Sequence, residues 1–353
     1  MVVASLKDLP EDKRLIIRSA AQRINDIANG LLQQSKKSGD LTAFSPQAKT
    51  QTPDAPTEPQ MLVALLDAIV SEKRIQYRER MEIEILADLN QGYGLFTHIH
   101  PAEFVRVISN LVNNAVEAMP DGLDGRVTAA VTVAVTVAIR GYKNQVAVIV
   151  SDNGKGISAD VLARLGERGV THGKEGTQSG SGLGVYHARE TVERAGGKFS
   201  IQSQVGVGTQ VTLTFPRAET PKWFVDKIII RPHAIIISLD DDQTIHQLWA
   251  DRLSSAGAAK ANVQHVAFSS LEQFMTWAKE HDTNTALFFV DYEFLAQPGN
   301  GLDAIEQAGI ASRAILVTSR HEEPHVRART EALRVRVLPK ALAPLVPLAV
   351  ENS

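Results

Sequence analysis

The sequence has 353 residues, no cysteine, 44% hydrophobic and 22% charged positions, and a formal net charge of −3. That composition fits an ordinary chain of two or three domains. It excludes disulfides, thiol catalysis and zinc-thiolate sites, and it offers no broad cationic field for nucleic acid. No apolar run approaches the roughly 18 residues of a membrane helix, and the start MVVASLKDLPEDKR lacks a basic-then-apolar signal. A cytoplasmic protein without a membrane segment is expected.

In chain order, residues 11 to 38 read as one helix, with Leu15, Ile16, Ala20, Ile24, Ile27, Leu31 and Leu32 at helical spacing. SGDLTAFSPQAKTQTPDAPTEP (38 to 59) reads as a linker. A second helix follows over about 60 to 79, with Leu62, Leu65, Leu66, Ile69 and Val70 apolar. The two make a helical hairpin over residues 1 to 80 that buries little alone. It either pairs with a second copy as a homodimer or packs on the following domain.

Residues 81 to 217 change character. MEIEIL and LFTHI read as short strands, and a helix carrying NLVNNAVEAM follows. VTAAVTVAVTVAIR (127 to 140) and NQVAVIVSD (144 to 152) alternate and are β-branched, with a hairpin turn between them. A glycine-rich stretch, a helix over 183 to 195, GKFSIQS and TQVTLTFP complete the region. The order predicts an α+β sandwich, with helices on one face of a largely antiparallel sheet. Residues 218 to 231 read as a linker. From 232 to 353, AIIISL, QHVAF, ALFFVD, AILVTS and RVRVL alternate with helices near 243 to 256, 270 to 280 and 301 to 308. That alternation predicts a doubly wound parallel sheet. The fold class is multidomain α/β.

The helix after LFTHI poses a specific question. Glu103, Arg106, Asn110, Asn113, Asn114 and Glu117 fall on one polar stripe, and apolar residues cover the rest. The stripe is either a wet face or a site. Asparagine is a poor choice for a wet face. Asn110 and Asn114, one turn apart, suit a place where neutral oxygens meet a metal carrying polyphosphate.

Three further stretches follow: SDNGKGIS (151 to 158), GSGLGV (180 to 185) and GVGT (206 to 209). Each is common alone. The ordered set resembles the ATP-binding domain shared by histidine kinases, gyrase-type topoisomerases and mismatch-repair ATPases, a Bergerat-type sandwich, and is most similar to histidine kinases. The resemblance implies that Asn114 binds Mg²⁺ on ATP and that Asn110 lines the phosphate pocket. It gives Asp152 the adenine amino group and lets the backbone approach the purine at Gly154 and Gly156. Gly180, Gly182 and Gly184 form the hinge and helix start beneath the phosphates, and Thr209 belongs to the same pocket. Residues 165 to 181 form a mobile lid, with Lys174 and His172 as candidate phosphate contacts. ATP-hydrolysing relatives place a water-activating glutamate where Asn110 stands, so the pocket favours transfer over hydrolysis.

The last region brings Asp240 and Asp241, Asp291, Thr318 and Lys340 to the carboxyl ends of four strands, where doubly wound sheets bind ligands. Three acids, a hydroxyl and a lysine suit Mg²⁺ and an aspartyl phosphate. The region resembles a response-regulator receiver with a flavodoxin-like fold. Asp291 is the phosphoacceptor, Asp240, Asp241 and Asp291 hold the metal, and Thr318 and Lys340 receive phosphoryl oxygens. Two departures are a longer loop after Asp291 and Ala341 in place of the usual proline.

Together these resemblances describe a hybrid histidine kinase of a two-component system, with a partner kinase, phosphotransfer protein or response regulator. RSAAQRINDIANGLL (18 to 32) resembles the phosphoacceptor helix of such kinases, yet no histidine precedes His98, and Arg18 stands near the acceptor position. His98 and His100 are expected to be structural. The chain is then either a kinase that phosphorylates another protein or an ATP-binding scaffold whose receiver is phosphorylated by another kinase.

Overall fold

A computed structural model describes residues 58–80, 83–119, 133–164, 183–295 and 297–351. The helix expected over 11 to 38, its linker, and the lid with His172, Lys174, Gly180 and Gly182 lie outside them. The chain divides into two compact units, residues 1–219 and 220–353.

In the first unit, β1 (Pro59–Met61) leads into α1 (Leu62–Gln76), then β2 (Ile83–Asp88), β3 (Phe96–His98) and α2 (Pro101–Glu117). β4 (Val133–Gly141) and β5 (Gln145–Asp152) form the expected hairpin. The short α3 (Ala159–Arg164), α4 (Leu183–Arg194), β6 (Lys198–Gln204) and β7 (Gly208–Pro216) follow. The five-stranded sheet runs β2-β4-β5-β7-β6, antiparallel except for the β2–β4 pair.

Alternation in the sequence sets the register. Ile139, Val148, Leu213 and Phe199 lie in one cross-strand row, and Val137, Val150, Val211 and Ile201 in the next. A slip of one residue would turn the apolar rows to the opposite face. α2 packs against both α1 and α4, and all three pack on the sheet. Phe104 of α2 meets Phe215 of β7 edge-on at 6.1 Å between ring centroids. Pro101 opens α2, where a missing N–H costs nothing.

α1 was expected as the second helix of a hairpin that either pairs with a second copy or packs on the following domain. Leu62, Val63, Leu66, Ile69 and Val70 are buried as it packs on α2, β2 and β4 of that domain, and β1 pairs with β3. The apolar stripe finds its partner in the sandwich.

In the second unit, β8 (Ile228–Ile230) precedes β9 (Ile235–Leu239), α5 (Gln243–Ser255), β10 (Gln264–Phe268), α6 (Leu271–Glu280) and β11 (Ala286–Val290). Then come α7 (Gly301–Gln307), β12 (Ala314–Thr318), α8 (Pro324–Leu333), β13 (Arg336–Pro339) and β14 (Leu348–Val350). The main sheet is wholly parallel, in the order β10-β9-β11-β12-β13. Chain order reverses beside β9, so β9 and β11 flank the switch point where such sheets bind ligands. β12 is buried throughout, as a strand covered on both faces must be.

The stretch read as a plain linker is partly structured. Phe224 bridges Val337 at the β13 edge, and β8 pairs in parallel with β14. Arg252 of α5 donates to the carbonyls of Ala343 and Val346, which ties down the chain after β13.

Candidate functional site

The first site is built around the end of β5. Asp152 is half-buried, and its Oδ1 accepts from the backbone N–H of Gly154 at 3.0 Å and of Thr209 at 3.2 Å. Burial pushes the Asp152 carboxyl above its usual range, while the two amides pull it back. Both bonds fall on one oxygen, and Oδ2 is the atom left to accept from a ligand among the described residues.

The glycine loop is clamped from two sides. Lys155 N–H donates to the Ala118 carbonyl at the end of α2, capping an orphan acceptor, and Gly206 N–H donates to the Lys155 carbonyl. A Cβ at Gly154 would lie 2.6 Å from that Ala118 oxygen. Ser203, which the sequence reading passed over, accepts from Ile157 N–H at 2.8 Å, donates to the Gly208 carbonyl at 2.9 Å and lies 2.9 Å from the Thr209 hydroxyl. Its only sequence signal is its cross-strand place opposite Thr209.

Gly208 shows how tight the clamp is. Its φ is +130°, and a Cβ there would lie 2.0 Å from the Asp152 carbonyl oxygen. Gly208→Ala should therefore destabilise the first unit by at least about 2 kcal/mol, read as a lower urea midpoint. An unchanged midpoint would contradict the close packing of β7 against the Asp152 turn.

The three asparagines separate by role. Asn110 is half-buried and Asn114 exposed on α2. The Asn114 amide nitrogen lies 4.0 Å from where a Cβ at Gly184 would stand, so Asn114 faces the start of α4. Asn113 turns away to α1, where its Oδ1 accepts from Lys73 Nζ at 2.7 Å and from the Tyr77 hydroxyl at 2.9 Å. Further along the stripe, His187 Nε2 of α4 lies 3.0 Å from Glu103 Oε2. His98 and His100 are exposed at β3 and before α2.

The second site gathers residues predicted from four strand ends. Asp240, Asp291, Thr318 and Lys340 are all buried. Lys340 Nζ lies 2.9 Å from both Asp240 Oδ2 and Asp291 Oδ2. Oxygens of Asp240, Asp241 and Asp291 all fall within 4.8 Å of one another. Backbone amides fix each acid: Asp242 N–H donates to Asp240 Oδ1 at 2.9 Å, Tyr292 N–H to Asp291 Oδ1 at 2.6 Å and Leu295 N–H to Asp241 Oδ2 at 3.0 Å. Thr318 Oγ1 accepts from Arg320 N–H at 3.1 Å. Three carboxylates against one lysine leave an excess of negative charge, which suits a hard cation with oxygen ligands. The long loop after Asp291 supplies the Leu295 amide and closes on a capping box between Asn300 and Asp303. The sequence reading also missed Arg320, whose guanidinium lies 3.0 Å from Glu293 and over the Tyr292 ring.

The first unit's sandwich, asparagine helix and Asp–glycine loop define a histidine kinase-type ATP-binding domain. Residues 99–219 match the family of histidine kinase-, DNA gyrase B- and HSP90-like ATPases. Among curated relatives, the chain is 25% identical over 249 residues to the sensor protein EvgS of Escherichia coli K12, covering 69% of this chain and 20% of EvgS. It is 27% identical over 176 residues to the histidine protein kinase SaeS of Staphylococcus aureus, covering 48% of this chain and 45% of SaeS. The chain thus spans less than half the length of these relatives. Among solved structures, the mycobacterial sensor histidine kinase MprB aligns with 46% of this chain and 99% of its own, at 19% identity and TM-score 0.36. Full-length ShkA in complex with AMPPNP aligns with 83% of this chain and 56% of its own, at 16% identity and TM-score 0.37. No helix among the described residues is long and apolar enough to cross a membrane.

Proposed function

We propose that the chain is a two-component signalling protein that binds Mg-ATP in its first unit and accepts a phosphoryl group on Asp291 in a receiver-like second unit. The observation that carries the ATP reading is the Asp152 carboxylate, held on Oδ1 by Gly154 and Thr209 with its other oxygen available for the adenine amino group. Asn114 holds Mg²⁺, Asn110 lines the phosphate pocket, and the α4 N-terminus beside Gly184 favours phosphate through its free N–H groups. The same reading assigns phosphate contacts to Lys174, Gly180 and Gly182, which lie outside the described residues. In the second unit Asp240, Asp241 and Asp291 hold Mg²⁺, which neutralises incoming phosphoryl oxygens when bound. Lys340 and Thr318 take the remaining phosphoryl oxygens. The partner is a histidine kinase, a phosphotransfer protein or a response regulator, and the N-terminal segment pairs two copies.

A second reading rests on one sequence fact: the segment 18–32 that resembles the phosphoacceptor helix carries no histidine. In it the ATP domain is a nucleotide-sensing scaffold, and another kinase phosphorylates Asp291.

Calorimetry with ATP tests the shared premise. Asp152→Asn puts an amide donor against the adenine amino donor and removes a charged acceptor worth roughly 1.5–3 kcal/mol. ATP affinity should fall about 10- to 150-fold. Equal affinity in the two proteins would overturn the pocket assignment. The raised carboxyl adds a pH signature. As pH falls through that raised value, Asp152 gains a proton and loses its acceptor role, so affinity should drop at a higher pH than an ordinary aspartate gives. Asp152→Asn should remove that dependence. Stability runs the other way: the native state holds this proton more tightly than the unfolded chain, so the contribution is present at low pH and lost as pH rises through the shifted value.

A further inference from the structure

Asn113 is the one asparagine of the three that the proposed ATP site does not use. Its carbonyl oxygen accepts from both Lys73 Nζ at 2.7 Å and the Tyr77 hydroxyl at 2.9 Å. Lys73 also donates to Gln76 Oε1 at 2.7 Å and lies 6.0 Å from the Tyr77 ring centroid. Lys73 is only 2% exposed. Lysine almost never buries fully unless its head is satisfied, so the end of α1 is committed to this contact.

We infer that Lys73 and Tyr77 are positioning residues for the Mg-ATP site: by clamping Asn113 they set the rotation of α2 about its axis, and with it the aim of Asn110 and Asn114. The inference rests on the proposed ATP reading. The rest of α2 is held mainly by apolar packing of Phe104, Val107, Ile108, Leu111, Val112 and Val116. Such packing fixes where a helix lies and is non-directional. Asn113 and Asn114 are neighbours in sequence, so a directional grip on one fixes the bearing of the next. With side chains reaching about 5–6 Å from the helix axis, a turn of roughly 20° sweeps their ends by about 2 Å. Mg²⁺ demands near-ideal octahedral geometry at about 2.0–2.1 Å, so a turn of that size takes a ligand out of reach. Adenine recognition would be spared, because Asp152 is held by Gly154 and Thr209.

The test compares ATP affinity with Mg²⁺ and with EDTA, by calorimetry, on the full chain. The ratio of the two isolates the metal-dependent part of binding, which a general loss of stability does not change. Lys73→Met should reduce that ratio at least fivefold, and Tyr77→Phe, which removes one hydroxyl, at least twofold. Affinity in EDTA should stay within twofold of wild type in both. Lys73→Arg, which restores a cationic donor, should recover part of the loss. If Lys73→Met does not fold, Tyr77→Phe alone decides. Wild-type ratios in the folded variants would overturn the positioning role and leave the ATP reading intact. A wild type with no Mg-dependent ATP binding would overturn the ATP reading itself, and the positioning role with it.

Discussion

Asp291→Ala should abolish labelling of the protein by a small radiolabelled acyl phosphate in the presence of Mg²⁺, and the wild type should be labelled to a substantial fraction. The expectation follows from how the second site is built. In the proposed reaction a carboxylate oxygen of Asp291 would attack phosphorus, the phosphorus–oxygen bond to the acyl group would break, and the donor would leave as a carboxylate. Asp291 is 4% exposed, so its neighbours set its reactivity. Tyr292 N–H holds Oδ1 and Lys340 lies against Oδ2. Lys340 alone does not balance three carboxylates, so EDTA should stop labelling almost completely. Lys340 is shared between Asp240 and Asp291 at equal distance. Lys340→Met should therefore slow labelling, because the incoming phosphoryl oxygens lose their fixed cation. Label that persists unchanged in Asp291→Ala would place the acceptor elsewhere and remove the receiver reading.

Much of both units was legible because period-2 alternation and strand-end acids are local signals. β5, β7, β9, β11 and β12 fall where the pattern put them, and the turn at Asp152 and the acids after β9 and β11 came with them. The illegible parts share a physical cause. The partner of Asn113 is Lys73, 40 residues away, and nothing in either local sequence names the other. β8 and β14 have three residues each and gain their definition only from pairing across the second unit. α8 was not expected because only Val326 and Thr330 are buried along it, a stripe too narrow to stand out among its charges. α1 was expected as a helix with two possible neighbours, a second copy or the following domain, and it packs on the second. An apolar stripe states that a face will be covered and says nothing of what covers it.

The purified protein should bind ATP and yet remain essentially unlabelled when given labelled ATP alone. Phosphoryl transfer needs a nucleophile in line with the γ-phosphate. A guanidinium stays protonated and cannot serve, and Arg18 stands near the acceptor position of the segment that resembles the phosphoacceptor helix. Arg18 lies outside the described residues, so the expectation rests on sequence chemistry. α1 buries Leu62, Val63, Leu66, Ile69 and Val70 against the ATP-binding sandwich. A base-stable label in wild type that survives Asp291→Ala would point to phosphohistidine and contradict the expectation. Arg18→His supplies the converse. An imidazole at that position would give label from ATP if the segment reaches the γ-phosphate, even with Ser19 as a weak stand-in for the usual neighbouring acid. Gain of label would show an ATP domain competent for transfer whose acceptor has been lost. No gain would not separate the two readings, because Ser19 is a weak substitute for the usual acid. Labelled ATP given alone and with candidate partner proteins separates the transferring kinase from the scaffold, in which a different kinase supplies the phosphoryl group to Asp291.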